Sequence, residues 1–541
     1  MTVQHYGTPE QRRKLLTDLV AIPSISESEG ETHFPDAVYS LLSQWEYFKT
    51  NPSHLHHGAR TGDEAFLSAH YKHTSATETI VLISHFDVVG VEEYGEYESL
   101  AFRVDELTEA FVRDAEQFHP SVQKDIQSGE YLFGRGTMDM KAGLTIHISI
   151  LEKAIINRWP INIVLLTVPD EEVNSTGMRA AVGYLNRIKE EYNFSYTLFL
   201  NSEPVFTQKP DDDNYYIYSG SIGKIMPGLL FYGKETHVGE PLAGISSNYM
   251  ASFLMNHLEL NQRLRETVFE EKTPLPVSLY QKDLKQEYSV KTPYRSAALF
   301  NVFLFKRSAN EVFDIFQQEV HTATERLNDA YRTLCNDEGV QGVGNVQVLD
   351  YEQLESYAIQ RHGETKVAEW KKEIHTRTDL DDREKSILTA DKLARHCNDL
   401  SPAIISFFAP PYYPAVSSKR TVQFDAWIDF IKTESQRAHQ LPVKNIQYFN
   451  GISDLSYVAY RDAGGDGWRA YEANTPVFGT SYTIPFHGMS QLQGPVLNIG
   501  PRGKDAHKKT ERLHAHSAFV EVPFIIERLI EKVIECNAYN H

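Results

Sequence analysis

Apolar and polar positions along this chain alternate in two registers. TPEQRRKLLTDLVAI (8–22) carries apolar residues near helical spacing, and a second helix is predicted over 36–48. ETIVLISHFDVV (78–89) is a nearly continuous apolar run, the pattern of a strand buried on both faces. KAGLTIHISILEKAII (141–156) returns to a helical pattern. INIVLLTV (161–168) then reads as a strand, 176–192 as a helix and SYTLFL (195–200) as a strand. Strands alternating with helices predict a largely parallel sheet covered by helices on both faces.

The pattern changes near residue 215. YYIYSGSIGKIMPGLLFYG (215–233) reads as strand, turn and strand, 246–261 as a helix, 297–305 as a strand and 309–334 as a long helix. The stretch 337–398 is charged and mostly helical, and its composition predicts an insertion with a solvated face. AIISFFAPPYYP (403–414) reads as a closing strand. The α/β pattern then resumes with a helix over 424–440, strand-like NIQYFNG and GPVLNIG, and the amphipathic VEVPFIIERLIEKVIE. The predicted fold class is α/β. Residues 1–214 and 416–541 form the two parts of one domain, and 215–415 an inserted α+β domain.

At 541 residues the chain is too long for one ordinary domain, and 41% hydrophobic residues suffice for sizeable cores. A formal charge of −20 argues against a general nucleic-acid binder. No apolar run approaches a membrane span, and MTVQHYGTPEQRRKLL lacks a signal-peptide core. Cys335, Cys397 and Cys536 are odd in number and far apart. They form no disulfide framework, which points to a reducing cytoplasm.

The chemistry lies where the apolar runs stop. VPDEEVNS (168–175) sets three carboxylates in a row after INIVLLT, where like charges repel and desolvation adds to the cost. A solvated acidic turn is one reading; a bound cation is the other. SHFDVV offers His85 and Asp87, whose spacing on a strand points both side chains the same way. GRGTMDMKAG offers Asp139, LNSEP offers Glu203 and NIGPRGKDAHKKTERLH offers His507. GRGTMDMKAG does not fit the phosphate-loop pattern. Each element alone is weak. Together, at the carboxyl ends of strands in one parallel sheet, they give the nitrogen and oxygen inventory of a zinc pair. The late histidine stays open between His507 and His487, with His514 and His516 close by.

These motifs resemble those of the co-catalytic di-zinc aminoacylase, carboxypeptidase and succinyl-diaminopimelate desuccinylase family. SHFDVV, GRGTMDMKAG, VPDEEVNS and NSEP match in order, and DAHKKTERL matches less tightly. Length and the enlarged middle look similar to the family's arginine-utilisation branch, which suggests an arginine-derived substrate. The resemblance implies an α/β catalytic domain interrupted by a ferredoxin-like lid, and two Zn2+ ions, with Co2+ or Mn2+ as substitutes. It implies that Asp139 bridges the metals, that His85 and Glu203 complete one site, and that Glu172 and His507 complete the other. Glu171 becomes the general base, and Asp87 the partner of the far nitrogen of His85. In the lid segment YGKETHVGEPLAGISSN, His237 becomes an oxyanion donor and Asn248 a contact for a substrate carboxylate. The peptide bond after Asp139 is expected to be cis. The expected partners are a peptide or N-acyl amino acid substrate and a second copy of the chain, joined through the lid as a homodimer. A silent binding protein on the same fold and a single-metal carboxypeptidase are the competing readings.

Overall fold

The computed structural model describes residues 5–58, 65–209, 212, 214–285, 287–461 and 465–538. The chain divides into two units, one of residues 1–221, 416–460 and 487–541, the other of 222–415 and 461–486. Both are mixed α/β.

The first unit is built on an eight-stranded sheet. Its order is Leu55–His57, Leu67–Tyr71, Asn162–Val168, Glu78–His85, Ser195–Asn201, Val496–Asn498, Tyr215–Tyr218 and Val443–Ile446. The strand Glu78–His85 pairs in parallel with both neighbours, Leu82 facing Leu165 on one side and Leu200 on the other. It is buried from Thr79 to His85, which explains its unbroken apolar run. The sheet is parallel around this strand and antiparallel at the Leu67–Tyr71 margin. Helix Lys141–Asn157 is buried without a break from Lys141 to Glu152. It packs on the sheet and against helices Pro9–Val20 and Val522–Ala538. The helix predicted from residue 36 starts earlier, at Glu29, where Ser28 caps it, and it runs through Pro35.

The second unit has a five-stranded sheet in the order Val277–Asp283, Arg295–Leu304, Gly223–Tyr232, Ala403–Tyr413 and Gln347–Asp350. Helices Ser247–Leu258 and Ala309–Asp337 pack on it. Phe316 meets Phe300, and Phe313 meets Phe408. The alternate strand residues, among them Met226, Leu230, Leu299, Ile405 and Phe407, form a second core with Leu354, Trp370, Ile387 and Leu393.

Two sequence expectations change here. The segment 215–233 does form strands Tyr215–Tyr218 and Gly223–Tyr232, but they fall in different units. Tyr215–Tyr218 pairs in parallel with Val443–Ile446 in the first unit's sheet, while Gly223–Tyr232 belongs to the second. The boundary therefore falls at 221/222 instead of 214/215, and residues 461–486 also join the second unit. The charged stretch is not simply a solvated insertion. Its helices Tyr351–His362, Glu364–His375 and Asp382–His396 seal the second face of the five-stranded sheet with one apolar stripe each. Leu393 is fully buried there. Leu393→Ala is expected to cost about 2–5 kcal/mol in denaturant unfolding. A solvated helix would lose no more than about 0.5 kcal/mol.

All three cysteines are free. Among the described residues, no helix is long and apolar enough to cross a membrane.

Candidate metal centre

The parallel strands deliver their polar ends to one place. His85 ends its strand. Glu171 and Glu172 follow the strand Asn162–Val168, and Glu203 lies just past Ser195–Asn201. Asp139 immediately precedes the N-cap of helix Lys141–Asn157. His507 lies on the turn between the short strands Gly503–Lys504 and Arg512–His514, with φ of +63°.

Asp139 sits at the centre. Its Oδ1 is 3.3 Å from His85 Nε2, and its Oδ2 is 3.2 Å from His507 Nε2. Each histidine has a second carboxylate: Glu203 Oε1 lies 3.6 Å from His85 Nε2, and Glu172 Oε1 lies 3.1 Å from His507 Nε2. One carboxylate thus divides its two oxygens between two imidazole–carboxylate pairs. Glu171 Oε2 stands 3.9 Å from His85 Nε2. His85, Asp139 and Glu172 each offer a ligand atom within 4.8 Å of the others. Among the described residues, His85 Nε2 and Glu203 Oε1 are buried without a hydrogen-bond partner. Orphaned buried polar atoms of this kind are costly unless a further group takes them up. The donor set of two imidazoles and three carboxylates fits divalent cations. The Asp139–Met140 peptide is cis, as the resemblance implied.

The electrostatics match this reading. Burial pushes the carboxyls of Glu171, Glu172 and Glu203 up, and neighbouring carboxylates add to this against the pull of His85 and, for Glu172, His507. Burial disfavours charge on His85 too, but Glu203, Asp139, Asp87 and Glu171 together hold its pKa well above the ordinary value. His507 is raised to about 11 by its bonds to Asp139 and Glu172. Burial also works against the Asp139 carboxylate, yet the two facing histidines keep it below the usual range.

Asp87 does more than sequence reasoning assigned to it. His85 Nδ1 is 3.0 Å from the Asp87 carbonyl oxygen and 3.3 Å from its carboxylate. The carboxylate itself accepts from the backbone N–H of Glu171 at 3.1 Å, from that of Glu172 at 3.2 Å and from Ser26 Oγ at 2.9 Å. Asp170 bonds within its own loop: its Oδ2 accepts from the Thr176 N–H and hydroxyl. The late chain holds Glu203 in place. Asn498 Nδ2 donates to the Glu203 carbonyl at 3.1 Å. Gly500 lies so close that a Cβ would stand 2.0 Å from the same oxygen.

His487 bonds Gln491 on its own helix, whereas His507 reaches Asp139 and Glu172. His237 and Asn248 belong to the second unit, both exposed, on a loop and on the first turn of helix Ser247–Leu258. Sequence reasoning missed Asp454, which is 1% exposed in the single turn Asp454–Tyr457. Burial pushes its carboxyl up to about 7; His85 and the Ser175 hydroxyl pull it down, and Asp87 and Asp170 push it up. It lies well past its strand, where no local pattern marks it.

Comparison with known proteins agrees with this geometry. Residues 81–532 match the model of peptidase family M20/M25/M40. The chain is 38% identical to the uncharacterized protein YqjN of Bacillus subtilis, over 98% of each sequence. It is 28% identical to protein RocB of the same organism, over 97% of this chain and 95% of that one. Among solved structures, it is similar to an M20 family metallo-carboxypeptidase from Sulfolobus solfataricus. That likeness has a TM-score of 0.55 and 12% identity, over 97% of this chain and 99% of that one. It is also similar to the di-peptidase Dug1p of Saccharomyces cerevisiae, with a TM-score of 0.52 and 11% identity, over 97% and 96%. With its matched segment spanning most of its length and its ligand-type residues gathered at the strand ends, the chain belongs to peptidase family M20/M25/M40.

Proposed function

We propose that this chain is a di-zinc amidohydrolase that cleaves a peptide or N-acyl amino acid, with an arginine-derived compound as the substrate to try first. The observation that carries the reading is the division of the two Asp139 oxygens between two histidine–carboxylate pairs, with Glu171 alongside. His85, Glu203 and Asp139 would hold one ion, and His507, Glu172 and Asp139 would hold the other. Bound divalent cations supply Lewis-acid polarisation of the scissile carbonyl and lower the pKa of water. Glu171 takes the proton of the attacking water and returns it to the leaving amine. Burial gives Glu171 a raised proton affinity, which suits a group that must both accept and donate. Asp87 keeps the Glu171 and Glu172 peptides in place during that transfer.

The developing oxyanion needs a donor, and we assign it to His237. The Gly239 N–H donates to His237 Nδ1 at 3.1 Å, so the neutral ring carries its proton on Nε2 and presents a donor. Asn248 is assigned to a substrate carboxylate, and Asn248→Ala should raise KM. We further propose that His237 serves the centre of a second copy, in a homodimer joined through the lid. His237→Ala and Glu171→Gln chains should then each be weak alone and recover part of the activity when mixed. Sedimentation showing a fully active monomer would defeat this assembly. The reading as a whole is tested by metal content and by amine release from N-acyl amino acids and dipeptides. Metal stoichiometry near one, with no gain from a second equivalent, would favour the single-metal alternative. No turnover at full loading would favour a binding protein.

A further inference from the structure

One segment near the N-terminus, residues 19–31, is fastened to three of the loops that carry the centre. Ser24 Oγ donates to the Phe86 carbonyl, Val88 N–H to the Ser24 carbonyl and Ser26 N–H to the Val88 carbonyl, on either side of Asp87. Lys141 Nζ, two residues beyond Asp139, donates to the carbonyls of Leu19 and Ile22 at 3.2 and 2.7 Å. The third attachment is Glu31, 8% exposed in the first turn of helix Glu29–Leu42. Its Oε1 accepts the Asp170 N–H at 2.8 Å, and its Oε2 accepts the Glu27 N–H at 2.7 Å. The base of this helix is closely packed: a Cβ at Gly30 would lie 1.9 Å from the Pro23 carbonyl oxygen.

Along the acidic turn, three successive backbone N–H groups each meet a carboxylate oxygen. Asp170 is taken by Glu31, and Glu171 and Glu172 by Asp87. Asp170 itself has φ of +64°, a left-handed conformation that a non-glycine residue holds only where its surroundings enforce it. Glu31 supplies one of those enforcing bonds.

We propose that Glu31 is a positioning residue for the hydrolysis assigned above, on which this inference rests. It fixes the Pro169–Asp170 peptide, one residue before the peptide that Asp87 holds, and so helps aim Glu171 before substrate arrives. A carboxyl group suits the task because two N–H groups point at its two oxygens, and both oxygens can accept. A glutamine in the same place has one acceptor and one NH2, so one backbone N–H would face a donor.

The test uses full-length protein loaded with zinc, as wild type and as Glu31→Gln and Glu31→Ala. Four quantities are measured: kcat, KM, bound metal and residue-resolved amide exchange. Glu31→Gln is expected to lower kcat about 10–100-fold, the usual cost of losing an outer support, with KM within about twofold and metal content unchanged. The Asp170 amide should lose at least about tenfold in exchange protection, while Val88 stays protected. A residue that merely stabilised the fold would not separate these amides, nor lower kcat at constant metal. Full activity of Glu31→Gln, a protected Asp170 amide in that variant, or activity lost only in proportion to metal or folded protein would each overturn the proposal. If Glu31→Ala fails to fold, Glu31→Gln carries the test, since it keeps the volume and one acceptor. Wild-type protein that hydrolyses no amide overturns the hydrolase reading and this one together; a fully active Glu31→Gln overturns this one alone.

Discussion

Glu171→Gln is expected to lower turnover by about 10²–10⁴-fold while the protein still binds its metal. The substitution keeps the shape of the side chain and removes the site that takes up a proton. The proposed ligands are His85, Asp139, Glu172, Glu203 and His507, so metal content should stay at the wild-type level. The neighbouring substitution separates the two roles. Glu172→Ala removes the carboxylate facing His507 at 3.1 Å and should lower metal affinity. Metal analysis beside single-turnover kinetics checks both. A Glu171→Gln enzyme of nearly full activity would remove the general base from the mechanism.

Stripping the metal with a chelator should abolish activity and lower the melting temperature, and the drop should be larger at pH 8 than at pH 6. Without cations, several buried carboxyls hold protons that the unfolded chain has already lost. Folding raises Glu31 to about 8, Asp454 and Glu511 to about 7 and Asp170 to about 6. Burial is the largest cause each time. An acid whose folded pKa is raised loses stability as pH climbs from its ordinary value to the raised one, here from about 4 to about 8. Glu171, Glu172 and Glu203 shift in the same direction. His507 acts with the same sign: its stabilisation is complete below its ordinary pKa and fades as pH rises toward 11. Cation binding needs carboxylates and neutral imidazoles, so it strengthens as pH rises. At about 1,000 times its dissociation constant, a bound ion contributes about 4 kcal/mol. A chelator effect that is flat with pH, or larger at pH 6, would count against a cation at this cluster.

The residues of the candidate centre were legible because the signal is local. His85, Glu172 and Glu203 each end or follow an apolar run, and a buried parallel strand is recognisable from that run alone. What failed to read were long-range features. Tyr215–Tyr218 reads as the start of the inserted domain because its partner, Val443–Ile446, lies more than 200 residues away. The helices over 351–396 looked solvated because one stripe of each is apolar and the rest charged, and a stripe does not say which surface it covers. Glu31 carried a faint signal. Ser28 and Glu31 have the spacing of a helix capping box, and the Ser28 hydroxyl does accept the Glu31 N–H. The glutamate, however, passes over the Ser28 N–H, which bonds the Ile25 carbonyl, and reaches Glu27 and Asp170. Asp454 gave no such sign.

The first unit is woven from three stretches of chain, and the last of them supplies the strand Val496–Asn498, wedged between Ser195–Asn201 and Tyr215–Tyr218. On the ribosome, the four earlier ligand-type residues emerge first, and His507 follows Glu203 by about 300 residues. At synthesis rates of about 5–20 residues per second, that interval is about 15–60 s. During it, the nascent chain lacks the strand that fills the gap in its sheet and the Gly500 backbone that presses on Glu203. If His507 serves the centre as proposed above, the site is completed only when this late stretch emerges, and translation itself acts as the timer on its assembly.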